Sequence, residues 1–308
     1  MEDIQMTFRF APYLDALPLT YQGKTRDTHD LGNGLLLIVA TDRLSTHNLV
    51  HLSTIPRKGE VLTALTVFWL TEILKDLPHH LVAYGSQIYD HLPSSRKDYP
   101  DDLALRAIVV RKLEIIPVEF IFRRYLTGSL YDKFYSKGIP NPYGAYLRPG
   151  LMKMYKFHGS IFTPTEKSDT DDPLVSAEVV EQYPEAYELA WEGFKQTRLW
   201  ADLRDLQIID GKWEIGVDNA GQHFIADEVA TPDSSRYARN GNIVVGQDPP
   251  WLDKQLARDE AERVWGKGKK ESLKFAPLII HRLVDVYQQL FLELTGTKLH
   301  EFQRQRLC

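Results

Sequence analysis

Residues 21–31 read as a strand, Gly32-Asn33-Gly34 as a turn, and Leu35-Leu36-Leu37-Ile38-Val39-Ala40 as an apolar return; together they predict a hairpin whose second strand is buried. Leu62, Leu65, Phe68, Trp69, Ile73 and Leu74 then recur at helical spacing, and Pro78 closes that helix. Residues 105–113 and 117–123 are rich in β-branched and apolar side chains and predict two strands. Residues 136–150 and 163–173 gather Gly, Pro and polar side chains, as loops do. A helix follows, with Ser176 as its N-cap, reaching about Arg198. Residues 208–228 hold two apolar stretches joined by Asp218-Asn219-Ala220-Gly221, a second hairpin. Residues 236–250 are polar and turn-rich and predict a mobile or ligand-covering loop. Ile279, Leu283, Val286, Leu290 and Leu294 mark a final amphipathic helix ending at Gly296. Strands and helices mix without a regular βαβ rhythm, so the expected class is α+β.

Composition narrows the picture. A chain of 308 residues with 43% hydrophobic and 26% charged side chains can bury a full core in one or two domains. No apolar run approaches the roughly 20 residues that cross a bilayer. The acidic start Met1-Glu2-Asp3 is unlike a signal peptide, and the single cysteine, Cys308, leaves no internal disulfide framework. These features lead us to expect a cytoplasmic protein. The net charge of −5 argues against general nucleic-acid binding, so an anionic ligand needs a local cation cluster. Such clusters occur at Lys24/Arg26, Arg111/Lys112, Arg123/Arg124 and Lys267/Lys269/Lys270.

Four stretches carry candidate chemistry. Pairing of the second hairpin brings Glu214 close to Asp227, a carboxylate pair suited to magnesium or simply a charged hairpin edge. Lys212 and Asp210 share the strand face of Glu214. In Gly23-Lys24-Thr25-Arg26 a glycine admits close approach and two cations point to one side of a strand, an arrangement for a polyphosphate or a solvated face. The pattern is not a Walker A loop. Arg123-Arg124-Tyr125-Leu126-Thr127-Gly128-Ser129 and Asp233-Ser234-Ser235-Arg236 both set hydroxyls and guanidiniums at turns that suit an anion, though the first, taken alone, is more often a capping turn. None of the 10 histidines has metal-ligand spacing, and no GxSxG elbow occurs.

In this order the stretches resemble the SAICAR synthetases (phosphoribosylaminoimidazole-succinocarboxamide synthetases) of purine biosynthesis. The matching blocks are residues 23–27, Ala40-Thr41-Asp42-Arg43, Ile55-Pro56-Arg57-Lys58-Gly59, and residues 123–129, 162–167, 212–216, 227–236 and 253–258. The resemblance implies an ATP-dependent ligase that joins a carboxyaminoimidazole ribonucleotide to L-aspartate through an acyl phosphate. Magnesium would be a cofactor, and the partners would be small molecules, with no nucleic acid and no membrane. It implies two α+β lobes with ATP between them: residues 1–114, residues 115–270, and a helical segment, 271–308, packed on the body. Lys24, Arg26 and Lys167 would contact ATP, and Glu214 and Asp227 would hold magnesium. Arg123, Ser129, Asp172, Asp233, Ser234, Arg236 and Arg258 would bind substrate, with Lys212 and Asp210 near the reacting groups. Where the family commonly has Ser-Ala-Phe-Asp, this chain has Ser45-Thr46-His47-Asn48, so a carboxylate is replaced by an amide. A related ligase with another acceptor or amine, or a small-molecule kinase, is the alternative. Oligomeric state is left open.

Overall fold

The first hairpin seeds one of two contact units in this computed structural model, which describes residues 17–93, 98–141, 143–166 and 176–308. The first unit takes the described residues of Met1–Glu72, His80–Leu113 and Asp253–Cys308, and the second takes Ile73–His79 and Glu114–Leu252.

In the first unit, β1 (Leu19–Gln22), β2 (Arg26–Gly32) and β3 (Leu35–Ala40) run antiparallel, followed by the small hairpin of β4 (Arg43–Thr46) and β5 (Leu49–Thr54). Helix α1 (Lys58–Phe68) continues into a π-helical turn; then come β6 (Leu81–Tyr84), the one-turn helix α2 (Leu103–Arg106) and β7 (Ala107–Arg111). The sheet order is β1-β2-β3-β7-β6. Leu37, Val39, Ala83, Ile88, Leu103 and Val109 form a core on it. Helix α1 is buried throughout and begins against the end of β3: a Cβ on Gly59 would lie 2.3 Å from the Ala40 carbonyl oxygen. The Asp42 carboxylate accepts the Gly59 N–H at 2.9 Å, so an anion meets the positive end of the helix.

Two expectations change here. The strand expected from residue 21 is interrupted, because the Gly23 N–H turns back onto the Arg26 carbonyl at 2.7 Å and Lys24 sits in that bend. The strand expected at 105–113 starts as α2, since Arg106 is held by Asp102 at 2.9 Å and by Asp42 at 3.3 Å. Such ion pairs to a distant segment leave no period in the sequence.

The second unit holds β8 (Glu114–Ile115), β9 (Val118–Tyr125), β10 (Lys156–Phe162), β11 (Thr165–Glu166), helix α3 (Pro184–Asp202), β12 (Leu206–Val217), β13 (His223–Ala226) and β14 (Ser235–Arg239). Their sheet runs β10-β9-β12-β13, with β11 on β9 and both β8 and β14 on β12. Ser176 caps a short 3₁₀ turn by accepting the Glu178 N–H at 3.2 Å, and Pro184 then opens α3. Residues 236–239, expected within a loop, belong to β14 because Tyr237 and Ala238 are fully buried. One sheet face is apolar: Phe122 stacks on Phe194 of α3 at 5.3 Å and meets Tyr187 and Trp191. Gly193 lets α3 approach, for a Cβ there would lie 2.7 Å from the Trp213 ring.

The chain returns to the first unit with α4 (Gln255–Trp265), α5 (Pro277–Thr295) and α6 (Leu299–Arg306). Gly296 ends α5 in the left-handed conformation its position predicts. All paired named strands are antiparallel, which bears out the α+β class. Among the described residues no helix is long and apolar enough to cross a membrane.

Residues 272–275 are zipped to β5, and His51 is the buried pin. Its Nδ1 accepts the Leu273 N–H at 3.1 Å, which puts the ring proton on Nε2, 2.7 Å from Thr46 Oγ1. Phe275 meets the ring edge-on at 4.9 Å.

Two predictions come from this packing. Burial, reinforced by the neighbouring His47, lowers the His51 pKa from 6.5 to about 4. Below pH 6.5 the unfolded chain takes up a proton that the folded chain refuses until about pH 4, so stability falls across that window by about 3 kcal/mol. Urea midpoints should show this acid slope in the wild type and a flatter one in His51→Gln. In the second unit, Gly193→Ala gains about 1 kcal/mol of helix propensity but crowds a buried Trp at a cost of about 1–3 kcal/mol. It should lower the urea midpoint, whereas Gly159→Ala, with nothing within 4 Å, should not.

Candidate active site

Alternation along β12 sends Gly211, Trp213 and Ile215 to one face and Asp210, Lys212 and Glu214 to the other. Register then lines up charges across three strands, because Asp210 stands opposite Arg123 of β9 and opposite Arg236 of β14. Asp210 Oδ2 accepts from Arg123 Nη1 at 2.7 Å and from Arg236 Nη1 at 2.5 Å. Arg123 also donates from Nε to Thr163 Oγ1 at 2.9 Å and from Nη2 to Ser129 Oγ at 3.1 Å. Burial, aided by Arg236, pulls the Arg123 pKa below its ordinary value against the opposing pull of Asp210. Arginine starts so high that it stays charged at neutral pH. Two guanidiniums on one carboxylate leave this end of the sheet face net positive. Gly128, at φ +55°, is required here: a Cβ would lie 2.9 Å from both terminal nitrogens of Arg236.

Two residues along β12, roughly 7 Å away, the sign reverses. Lys212 Nζ donates to Glu119 at 2.7 Å and to Glu214 at 2.8 Å. Glu119 accepts also from Thr165 at 2.8 Å. Burial on its own would lower the Lys212 pKa, but Glu214, Glu119 and Asp227 override it and hold the ammonium well above lysine's ordinary value. Lys212 is therefore a standing cation at neutral pH and no general base. Three carboxylates around one ammonium leave a net charge of about −2.

Asp227 follows β13, which pairs with β12 so that Glu214 faces Ala226. Its backbone lies at φ 56°, a left-handed conformation, and Ala230 lies at φ 44°. Non-glycine residues adopt this region rarely, and such strain gathers at functional sites. The turn beyond is tied by side chains: Thr231 Oγ1 donates to Glu228 and accepts the Asp233 N–H at 3.2 Å, while Ser234 Oγ accepts the Thr231 N–H at 3.1 Å. Tyr237 holds the Ala230 carbonyl. Among the described residues no group of three or more His, Cys, Asp or Glu side chains is placed to hold a metal ion by itself. Glu214 and Asp227 nonetheless fit magnesium, which favours one or two carboxylates with the remaining positions on phosphate and water. The local negative excess is what a divalent cation would balance.

Sequence reasoning passed over Glu119 and Thr163. The signal for Glu119 was there, since it is the polar residue of an otherwise apolar run and lies in phase with Arg123. Lys24, Arg26 and Arg258 belong to the first unit. Lys24 Nζ donates to Asn48 Oδ1 at 2.7 Å, so the amide keeps an acceptor for Lys24 and carries no charge. Arg26 opens β2, and Arg258 on α4 donates to Gln255 at 3.0 Å. Because Lys24 lies in the bend before β2, it does not share one strand face with Arg26 as expected. Lys167 and Asp172 fall outside the described residues.

The SAICAR synthetase family model matches residues 19–274. The phosphoribosylaminoimidazole-succinocarboxamide synthase of Saccharomyces cerevisiae is 34% identical over 299 residues, covering 92% of this chain and 95% of that protein. The solved structure of SAICAR synthase from Saccharomyces cerevisiae, complexed with SAICAR, superposes with a TM-score of 0.81 at 32% identity, over 96% of this chain and 99% of its own. A SAICAR synthetase solved in complex with ADP shares the fold at a TM-score of 0.63 and 19% identity, over 90% of this chain and 98% of its own. By its family match and its near full-length relatives, the chain belongs to the SAICAR synthetase family.

Proposed function

We propose that this protein joins 5-amino-1-(5-phosphoribosyl)imidazole-4-carboxylate to L-aspartate with ATP, giving SAICAR, ADP and phosphate in de novo purine biosynthesis. The observation that carries the reading is the paired polarity of one sheet face. Arg123, Asp210 and Arg236 make a positive end, and Glu119, Lys212 and Glu214 make a negative end beside Asp227. A phosphate monoester suits the first and a metal–nucleotide the second.

A carboxylate is a poor electrophile. Its oxygen attacks the γ-phosphorus of ATP, the bond to ADP breaks, and the resulting acyl phosphate carries a good leaving group. The amine of aspartate then attacks the acyl carbon and expels phosphate. Such chemistry asks mainly for positioning and charge neutralisation. Arg123, Ser129 and Arg236 grip the ribonucleotide phosphate, and Asp210 orients the two guanidiniums. Lys212, charged throughout, steadies the anionic groups that approach each other. Lys24, Arg26 and Lys167 serve the ATP phosphates, while Asp172, Asp233, Ser234 and Arg258 complete the substrate contacts. Magnesium on Glu214 and Asp227 would neutralise the transferring phosphate oxygens. The setting is the cytoplasm, and the ligands are small molecules.

Purified protein should release ADP and phosphate only when ribonucleotide and aspartate are both present. A stable phosphorylated product with no free phosphate would instead favour a kinase. Asp227→Asn tests the metal assignment cleanly, because Asn tolerates the left-handed backbone at 227 as well as Asp does. It should lower kcat by about a hundredfold or more and raise the magnesium requirement, with the melting temperature little changed. Wild-type magnesium dependence in that variant would refute the assignment.

A further inference from the structure

Tyr143 lies beyond the residues so far given a role. Its side chain is 4% exposed and packs with Leu126 and Leu130, which bracket the Thr127-Gly128-Ser129 turn. Phe134 meets the ring edge-on at 6.5 Å. The backbone around it is fastened: Asn141 Oδ1 accepts the Tyr143 N–H at 3.1 Å, and Asn141 Nδ2 donates to the Ala145 carbonyl at 2.7 Å. The Tyr143 hydroxyl is buried and has no hydrogen-bond partner among the described residues. Tyrosines in apolar packing ordinarily place that hydroxyl on an acceptor.

The neighbouring charge is Arg123. Burial raises the Tyr143 pKa, and the field of Arg123 opposes the rise, so the two groups sense each other closely. Arg123 cannot satisfy the hydroxyl as an acceptor, for a guanidinium only donates. Its three nitrogens are already directed to Thr163, Asp210 and Ser129. A neutral O–H donor packed on the residues that flank the Thr127-Gly128-Ser129 turn, within the field of a guanidinium, has the composition of an oxyanion-binding group whose acceptor comes from outside the chain.

We propose that the Tyr143 hydroxyl belongs to the substrate grip and donates a hydrogen bond to a phosphate-monoester oxygen of the bound ribonucleotide. The assignment rests on reading the Arg123–Asp210–Arg236 row as the phosphate site. It makes Tyr143 an affinity-determining residue, engaged equally in ground and transition states, so its loss should appear in KM and leave kcat alone.

Tyr143→Phe removes one oxygen and keeps the ring in its packing. The KM for ribonucleotide should rise roughly tenfold, while kcat, the KM for ATP and the KM for aspartate stay within about twofold. Inorganic phosphate, used as a competitor of the ribonucleotide, should inhibit the variant more weakly than the wild type. The melting temperature should not fall, because an unpartnered buried hydroxyl gives the free protein nothing to lose. An unchanged ribonucleotide KM with a lowered melting temperature would make the hydroxyl a structural group and overturn the proposal. A raised KM with unchanged phosphate inhibition would overturn the phosphate assignment. Arg236→Ala separates the layers of the argument. If it impairs ribonucleotide binding while Tyr143→Phe does not, only the Tyr143 assignment falls. If neither variant shifts the ribonucleotide KM, the phosphate-site reading falls with it.

Discussion

The second unit depends on one carboxylate that holds two buried or half-buried guanidiniums across three strands. Without Asp210, Arg123 would be a buried cation beside another cation, a state whose penalty is of order 3–5 kcal/mol. The same contact fixes the register of β9, β12 and β14, because a slip of one residue in any of them would send that strand's charge to the opposite sheet face, away from the other two. That opposite face is committed to Phe120, Phe122 and Trp213 packing under α3, so apolar burial behind the sheet and charge pairing in front enforce one alignment. Site geometry is thereby a by-product of sheet pairing. The side chains stand on strands whose positions the core already sets, which is the arrangement that keeps polar groups preorganised.

Much of this was legible in the chain itself. The hairpin around Asp218–Gly221 showed through its turn residues, and period-two alternation on residues 210–214 placed three charged side chains together. The end of α5 was marked by Gly296, which takes the left-handed backbone that its position requires. Other features had no local signature. Strand β14 contains two arginines and a serine, and it becomes a strand because Tyr237 and Ala238 find a core prepared by distant segments. Helix α2 takes the start of the expected strand, where Arg106 is drawn to Asp42, far away in sequence. The interruption at Gly23 comes from a single backbone turn, and it moves Lys24 from a strand face into a bend. For the site, residue types pointed to stretches that β9, β12 and β14 bring together, but pairing partners came only from register. Glu119 was passed over because one polar residue in an apolar strand looks unremarkable until Lys212 of the neighbouring strand reaches it.

In the first unit the departure from the usual family pattern has a physical reading. Asn48 keeps the hydrogen bond to Lys24 and sheds the negative charge, so the ammonium there is oriented without being neutralised. A cation held in that way retains more of its field for an incoming anion than one paired with a carboxylate would. The adjacent His47 contacts Glu262 at 2.9 Å and Trp265 edge-on, which ties the small hairpin to α4.

The division of the chain also bears on its synthesis. The first unit is assembled from both ends of the sequence, and its closing helices α4, α5 and α6 all follow the last strand of the second. The second unit borrows Ile73–His79 from before its main span, and Ile225 donates its N–H to the Pro78 carbonyl at 2.9 Å. A ribosome making this chain therefore has every strand of the inner unit in hand once residue 252 has emerged, while the outer unit still lacks its last helices. The half that begins first is completed last. In the interval the surface of α1 that packs against α5 and α6 is open to solvent and to other nascent chains.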